Sequence, residues 1–431
     1  MPRPWKTNRA VFRCVTGPAG KQVMKTGWRN KLGCGVLLVL GAGCVAPSSS
    51  DQVFQVGIRD GHFIERASGR PVALRGFNYI RLYHSHGTFD PAHYDGAAAS
   101  GVFRRLHGDG FNVVRVFINT HEEVPGAVAQ KGQAGLAPAY LRNVADFLLR
   151  ARREHVAVIL SMEQFPRVSP YVELLAPLPG EIHGLNAAYL VPAYLSAKEA
   201  FLGAFIAGLK QVDPRCLEAV CAYDLSNELC YFGAPPFTLT APNGRTYRLP
   251  EQRQELADEA AIFYINRMSA AIRAAQPGAL VCAGVFTYRA VGKTGPGDFR
   301  LDTADWKNRY PFRPLAILRS QADFLDLHFY PANAAEFERD LQSIEFPAVQ
   351  RAAGACGKPV MACEFGAFKQ SFPTAAGAAQ WMVELGGRLA ALGGGWLYWT
   401  LDTHEQSKEL WHACEADGLI YRRLREVPPK N

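Results

Sequence analysis

A closed (β/α)8 barrel of the α/β class is the fold the sequence predicts, on three observations. Eight short apolar, β-branched runs recur along it, segments with helical period separate most of them, and no Gly-rich phosphate turn follows the first run. The runs cover 71–78, 112–119, 156–162, 219–226, 280–286, 324–330, 359–364 and 395–401. Continuous apolar runs of this length suit parallel strands buried on both faces and joined by crossovers. Between them, Leu141, Val144, Phe147, Leu148 and Ala151, and later Phe201, Phe205, Ile206 and Leu209, repeat at helical spacing. The mean repeat of roughly 40 residues suits a barrel with loop insertions. An open doubly wound sheet would usually place a Gly-rich turn after its first strand, and none is present.

Taken in chain order, residues 1–44 form a leader. Lys25, Arg29 and Lys31 precede the short apolar stretch 35–40 and then small residues, the layout of an export signal, with Met24 a more typical start than Met1. The stretch is too short to span a bilayer as a helix. Leu40-Gly41-Ala42-Gly43-Cys44 resembles a bacterial lipobox, although its Leu stands four residues before the Cys rather than three, so Cys44 is the expected lipidation site. Residues 45–52, with Ser48-Ser49-Ser50, read as a tether, and 53–431 as a single (β/α)8 domain. Segments 54–58 and 62–65 flank Asp60-Gly61, a hairpin signal expected to close the bottom of the barrel. Extra length falls after strand 3 (164–194) and strand 4 (231–249), at the face where barrel enzymes bind substrate.

Composition excludes several classes. With 48% hydrophobic and 11% aromatic residues the chain is that of an ordinary globular protein. Its net charge of +8 is confined to the leader: eight of the 47 basic residues and no acidic one lie in 1–44, which leaves 39 against 39. A phosphate-backbone-binding surface is therefore unsupported. Seven cysteines follow Cys44 without any CxxC pair, so zinc is not expected. Cys221, Cys282 and Cys363 lie in apolar runs and read as buried free thiols; one disulfide among the others stays open, as an exported chain allows.

Chemistry-bearing residues gather where the runs end, and strand ends in such a barrel share one mouth. Strand 1 ends in Gly76-Phe77-Asn78-Tyr79, strand 2 contains Arg115, strand 4 ends in Ser226-Asn227-Glu228, strand 6 supplies His328 and Tyr330, strand 7 ends at Glu364 and strand 8 at Trp399. An arginine inside the run 113–118 would be costly to bury without a carboxylate partner. Strand alternation places Trp396 and Trp399 on opposite faces. His84 and His86, after strand 1, could be read as a metal pair, but a substrate contact or plain loop is the better reading in a barrel mouth. Asp402 and His404 lie beyond strand 8.

These motifs, in this order, resemble glycoside hydrolase family 5 and its clan of retaining (β/α)8 glycosidases over about residues 54–405. The resemblance implies Glu228 as acid/base and Glu364 as nucleophile. It further implies Asn227 bonding a sugar 2-hydroxyl, Arg115 keeping the nucleophile ionised and Tyr330 orienting it. Asn78 is read as a further substrate contact, His328 as a site residue or else a satisfied core histidine, and Trp399 as a sugar platform or else plain core. Where many members carry a His after strand 3, this chain has Ser161-Met162-Glu163; Glu163 could bind a hydroxyl or pair with a loop Arg. No metal or cofactor is implied. The expected activity is retaining hydrolysis of a β-linked glucan, mannan or related oligosaccharide by a monomer. The expected location is the bacterial cell envelope, on a lipid anchor if Cys44 is modified and otherwise secreted. Two alternatives stand beside it: a non-catalytic carbohydrate-binding lipoprotein on the same fold, and a transglycosylase of the same clan.

Overall fold

A computed structural model describes residues 53–79, 87–120, 126–129, 135–162, 171, 186–232, 238–300, 305–403 and 406–429. Cys44, the tether, His84, His86, Glu163 and His404 lie outside them. Val53–Asn431 form one compact unit. Among the described residues no helix is long and apolar enough to cross a membrane.

All eight expected strands form. They are β1 (Leu74–Asn78), β2 (Val113–Phe117), β3 (Ala157–Ser161), β4 (Val220–Asp224), β5 in two segments (Leu280–Cys282 and Gly284–Phe286), β6 (Leu325–Phe329), β7 (Val360–Phe365) and β8 (Gly395–Tyr398). Every ladder between them is parallel, and the sheet begins on the first segment of β5 and ends on its second. The interruption at Ala283 thus lets one strand bond to β4 with its first half and to β6 with its second, which closes the ring. Gly395, at φ +118°, opens β8 where a Cβ would collide with the Leu74 carbonyl, so that glycine is required for β8 to lie against β1.

Helices alternate with the strands: α1 (Gly96–Gly108), α2 (Pro138–Arg153), α3 (Pro192–Val212), α4 (Arg253–Ala275), α5 (Pro314–Arg319), α6 (Ala334–Ser343), α7 (Phe346–Cys356), α8 (Ala375–Ala390) and α9 (Glu415–Leu424). The periodic residues Leu141, Val144, Phe147, Leu148 and Ala151 form the buried face of α2, and Phe201, Phe205, Ile206 and Leu209 that of α3. Their removal from water, worth about 25 cal/mol per Å² of apolar surface, drives the helices onto the barrel.

The hairpin Val56–Arg59 and His62–Glu65 turns through Asp60 and Gly61, both at positive φ. Val56 and Phe63 pack with Leu74, Val113, Ala157 and Phe324 at the starts of the strands, and the Phe63 ring meets Phe324 edge-on at 5.1 Å. The hairpin therefore plugs the bottom of the barrel, as its sequence signal implies. All seven described cysteines are free thiols, and Cys221, Cys282 and Cys363 are buried.

A long insertion after β5 accompanies the two expected ones. Its strand Arg309–Pro311 pairs antiparallel with Cys230–Phe232 from the insertion after β4, so the two segments form one small sheet. Periodicity could not reveal this, because each partner is three residues long and the pairing joins segments nearly 80 positions apart.

Candidate active site

The site is built around Arg115, a side chain with no solvent exposure on the inward face of β2. All five of its N–H groups find acceptors. Nε and Nη2 donate to Asp224 Oδ2 at 3.2 and 2.6 Å; Nη1 donates to Glu364 Oε1 at 2.6 Å and to Asn78 Oδ1 at 3.1 Å; Nη2 also reaches Asn227 Oδ1 at 2.8 Å. The Phe117 ring lies beneath the guanidinium at 4.6 Å. A buried charge is tolerable when it is paired and fully hydrogen-bonded, and here four barrel strands converge to meet that condition.

Asn78 and Asp224 hold Arg115 from β1 and β4. Asn78 donates through Nδ2 to the Cys363 carbonyl at 2.8 Å while accepting from Arg115, so both ends of its amide are used within the protein. Ser161 donates to Asp224 at 2.8 Å. The adjacent Met162 faces the core instead, leaving the position after β3 without a described polar group in the mouth.

Glu364, at the end of β7, accepts from Arg115 and, through Oε2, from Tyr330 Oη at 2.8 Å. Burial pushes its pKa above the ordinary carboxylate value and Glu228 adds to the rise, while His328 and Arg115 oppose it. Burial, reinforced by both glutamates, keeps the Tyr330 phenol protonated and able to donate.

Glu228 stands opposite, on the turn after β4, with φ at +52°. A non-glycine residue in the left-handed region stores strain that the surroundings must hold. Leu229 does so, its N–H bonding the Gly284 carbonyl of β5 at 2.7 Å and its own carbonyl taking the Phe312 N–H. The side chain retains 27% exposure, so it is the open member of the pair. One oxygen from each glutamate and a ring nitrogen of His328 lie within 4.8 Å of one another.

His328 sits between them. Its Nδ1 faces Glu228 Oε1 at 3.3 Å and Glu364 Oε2 at 3.4 Å, and its Nε2 faces Asp326 Oδ2 at 3.3 Å. Burial alone would lower the imidazole pKa, but Glu364, Asp326 and Glu228 raise it well above the ordinary value. Asp224, Cys282 and Asp326 form a second cluster beneath. Either trio has the donor types for a metal, yet Asp224 and Glu364 are each already paired with Arg115 at 2.6 Å, and burial holds the Cys282 thiol protonated.

Trp399 is 8% exposed and packs with Phe117, Leu410, Tyr330 and Phe368. Its ring meets Phe117 edge-on at 5.6 Å, and its Nε1–H donates to Gln406 at 2.7 Å. Trp396 packs on the other face, against Phe111 and Phe365. The fold therefore brings together Glu228, Glu364, Arg115, Asn227, Asn78, His328, Tyr330 and Trp399. Sequence reading missed Asp224 and Asp326; the available signal was a lone carboxylate inside an apolar strand run.

No family model and no curated protein matches this sequence. Solved structures do. An endo-1,4-β-mannanase from Rhizomucor miehei aligns over 87% of this chain and 100% of its own, at 15% identity and a TM-score of 0.58. An exo-β-1,4-mannosidase from Opitutaceae bacterium strain TAV5 aligns over 86% of this chain and 61% of its own, at 17% identity and 0.53. A glycoside hydrolase family 5 mannosidase from R. miehei aligns over 80% and 86%, at 14% identity and 0.50. At such identities the likeness is one of fold, and at that level the resemblance to glycoside hydrolase family 5 is borne out: the chain has the (β/α)8 barrel of these mannosidases and mannanases.

Proposed function

We propose that this chain is a retaining β-glycosidase of the family 5 kind, acting on a β-linked glucan, mannan or related oligosaccharide. The observation that carries the reading is the pair Glu228 and Glu364, whose nearest oxygens lie within 4.8 Å. Retaining enzymes hold their carboxyls about 5–5.5 Å apart, whereas inverting ones leave about 6.5–9.5 Å for a water.

In the first step Glu364 attacks the anomeric carbon as the glycosidic C–O bond breaks, and Glu228 gives its proton to the departing oxygen. In the second, water attacks the glycosyl carbon, Glu228 takes up the water's proton, and the Glu364 carboxylate is released. Arg115, His328 and Tyr330 support the ionised form of Glu364. Asn227, its oxygen taken by Arg115, keeps its amide N–H groups for a sugar hydroxyl. Trp399 offers an aromatic face for a sugar to stack on.

A panel of β-linked gluco- and manno-oligosaccharides, with products followed by NMR, tests this. The expected result is hydrolysis of at least one class with the β anomer formed first. An inverted first product would overturn the mechanism, and sugar binding without turnover across the panel would favour a non-catalytic carbohydrate-binding protein. Sugar products joined to an added acceptor in place of water would indicate a transglycosylase.

The location proposed is the bacterial cell envelope, supported by the charged and apolar leader that ends in Cys44. Cys44→Ala should move the protein out of the membrane fraction and remove the lipid mass from its N-terminus. Unchanged fractionation and mass would rule out lipidation there.

A further inference from the structure

Asp326 lies wholly buried on β6, two residues before His328 on the same face, and uses both carboxylate oxygens. Oδ1 accepts at 2.8 Å the N–H of Cys363, the residue immediately before Glu364; Oδ2 faces His328 Nε2 at 3.3 Å. With Asp326 on one ring nitrogen and two glutamates on the other, every acceptor around His328 is a carboxylate. A ring bounded in this way donates from both nitrogens, which only the imidazolium can do. The neighbouring backbone leaves room for the pair, since a Cβ on Gly284 of β5 would stand 2.9 Å from both Asp326 Oδ2 and His328 Nε2.

From this geometry we infer that Asp326 is a positioning residue that holds His328 as a fixed cation shared by Glu228 and Glu364, an inference that rests on the glycosidase reading for its catalytic consequence. The two Nδ1 distances, 3.3 and 3.4 Å, are nearly equal. In glycosylation Glu364 is the ionised partner and receives the cation. Once Glu364 is esterified its charge is gone, and Glu228, then the ionised base, receives it. One imidazolium thus serves both half-reactions with little movement. Other groups facing the pair are Arg115 from β2, Asp224 from β4, Cys282 from β5 and Cys363 from β7. Arg115 is already committed to Asp224 and Glu364, and burial keeps both thiols protonated, so Asp326 is the carboxylate left to charge the ring from behind. Asp326 is itself held below its ordinary pKa against burial, by His328 and Arg115.

The test begins on the unaltered protein, by 15N NMR of the His328 ring between pH 5 and 8. Both nitrogens should stay protonated throughout; a ring that titrates near the usual histidine value of about 6.5 would overturn the inference. In Asp326→Asn, whose amide can still accept from Cys363 N–H, the ring should titrate within that window. There kcat should fall on the order of tenfold to a hundredfold, the effect typical of outer groups that orient a working histidine at metal sites, with KM little changed and the loss growing as pH rises. Gly284→Ala, which crowds the same pair from another strand, should shift the ring titration in the same direction. A well-folded Asp326→Asn with the parent's kcat profile and ring titration would refute the assignment. Should the parent hydrolyse no glycoside, the glycosidase reading fails, and the ring titration alone decides the role of Asp326.

Discussion

Glu364→Ala should abolish turnover for every substrate, whatever its leaving group. The first chemical step has no other attacker, because Glu228 faces the opposite side of the bond and Tyr330, its phenol raised far above neutral pH by burial, is no nucleophile. Glu228→Ala should be milder on activated aryl glycosides, whose leaving groups need little protonation, and azide should restore the second step by attacking the glycosyl intermediate. A slow fluorosugar inactivator followed by peptide mass spectrometry locates the covalent bond, and an adduct on any residue other than Glu364 would overturn the assignment. The pH profile carries a sign. The nucleophile must be ionised, and burial together with Glu228 raises the pKa of Glu364. Acidification should therefore remove activity at a higher pH than the ordinary glutamate value of about 4.3 predicts.

Arg115→Leu should inactivate the protein and destabilise the fold by about 3–5 kcal/mol, the usual cost of removing one partner from a buried ion pair. The substitution strands Asp224 and Glu364, 0% and 5% exposed, and frees one acceptor each on Asn78 and Asn227. Unpaired buried carboxylates bind protons more tightly in the folded chain than in the unfolded one, so the folded form gains relative stability as pH falls. Urea unfolding at pH 7 and pH 5 should accordingly show the variant's deficit narrowing at the lower pH. A deficit below about 1 kcal/mol at pH 7 would mean that the network is solvated and that Arg115 is a surface-like pair.

Much of this molecule can be read from its residues in order. Eight apolar runs become eight strands because a strand covered on both faces must be apolar throughout, and the helical segments bury the face their spacing marks out. The Asp60-Gly61 signal produces a turn for a local reason, since both residues tolerate positive φ. The glutamates are legible because strand ends of a barrel share a mouth, and Arg115 because an arginine in an apolar run requires a carboxylate. Which carboxylates meet it is a different matter. Asp224 and Asp326 each look like an isolated polar interruption in the sequence, and they acquire a role only when β4 and β6 curve round to face β2 and β7. The same holds for the small sheet between the insertions after β4 and β5, and for the break at Ala283 that closes the ring. Periodicity reports which face of an element is buried; which partner it is buried against depends on strand order and register, and these are set by the packing of the whole barrel.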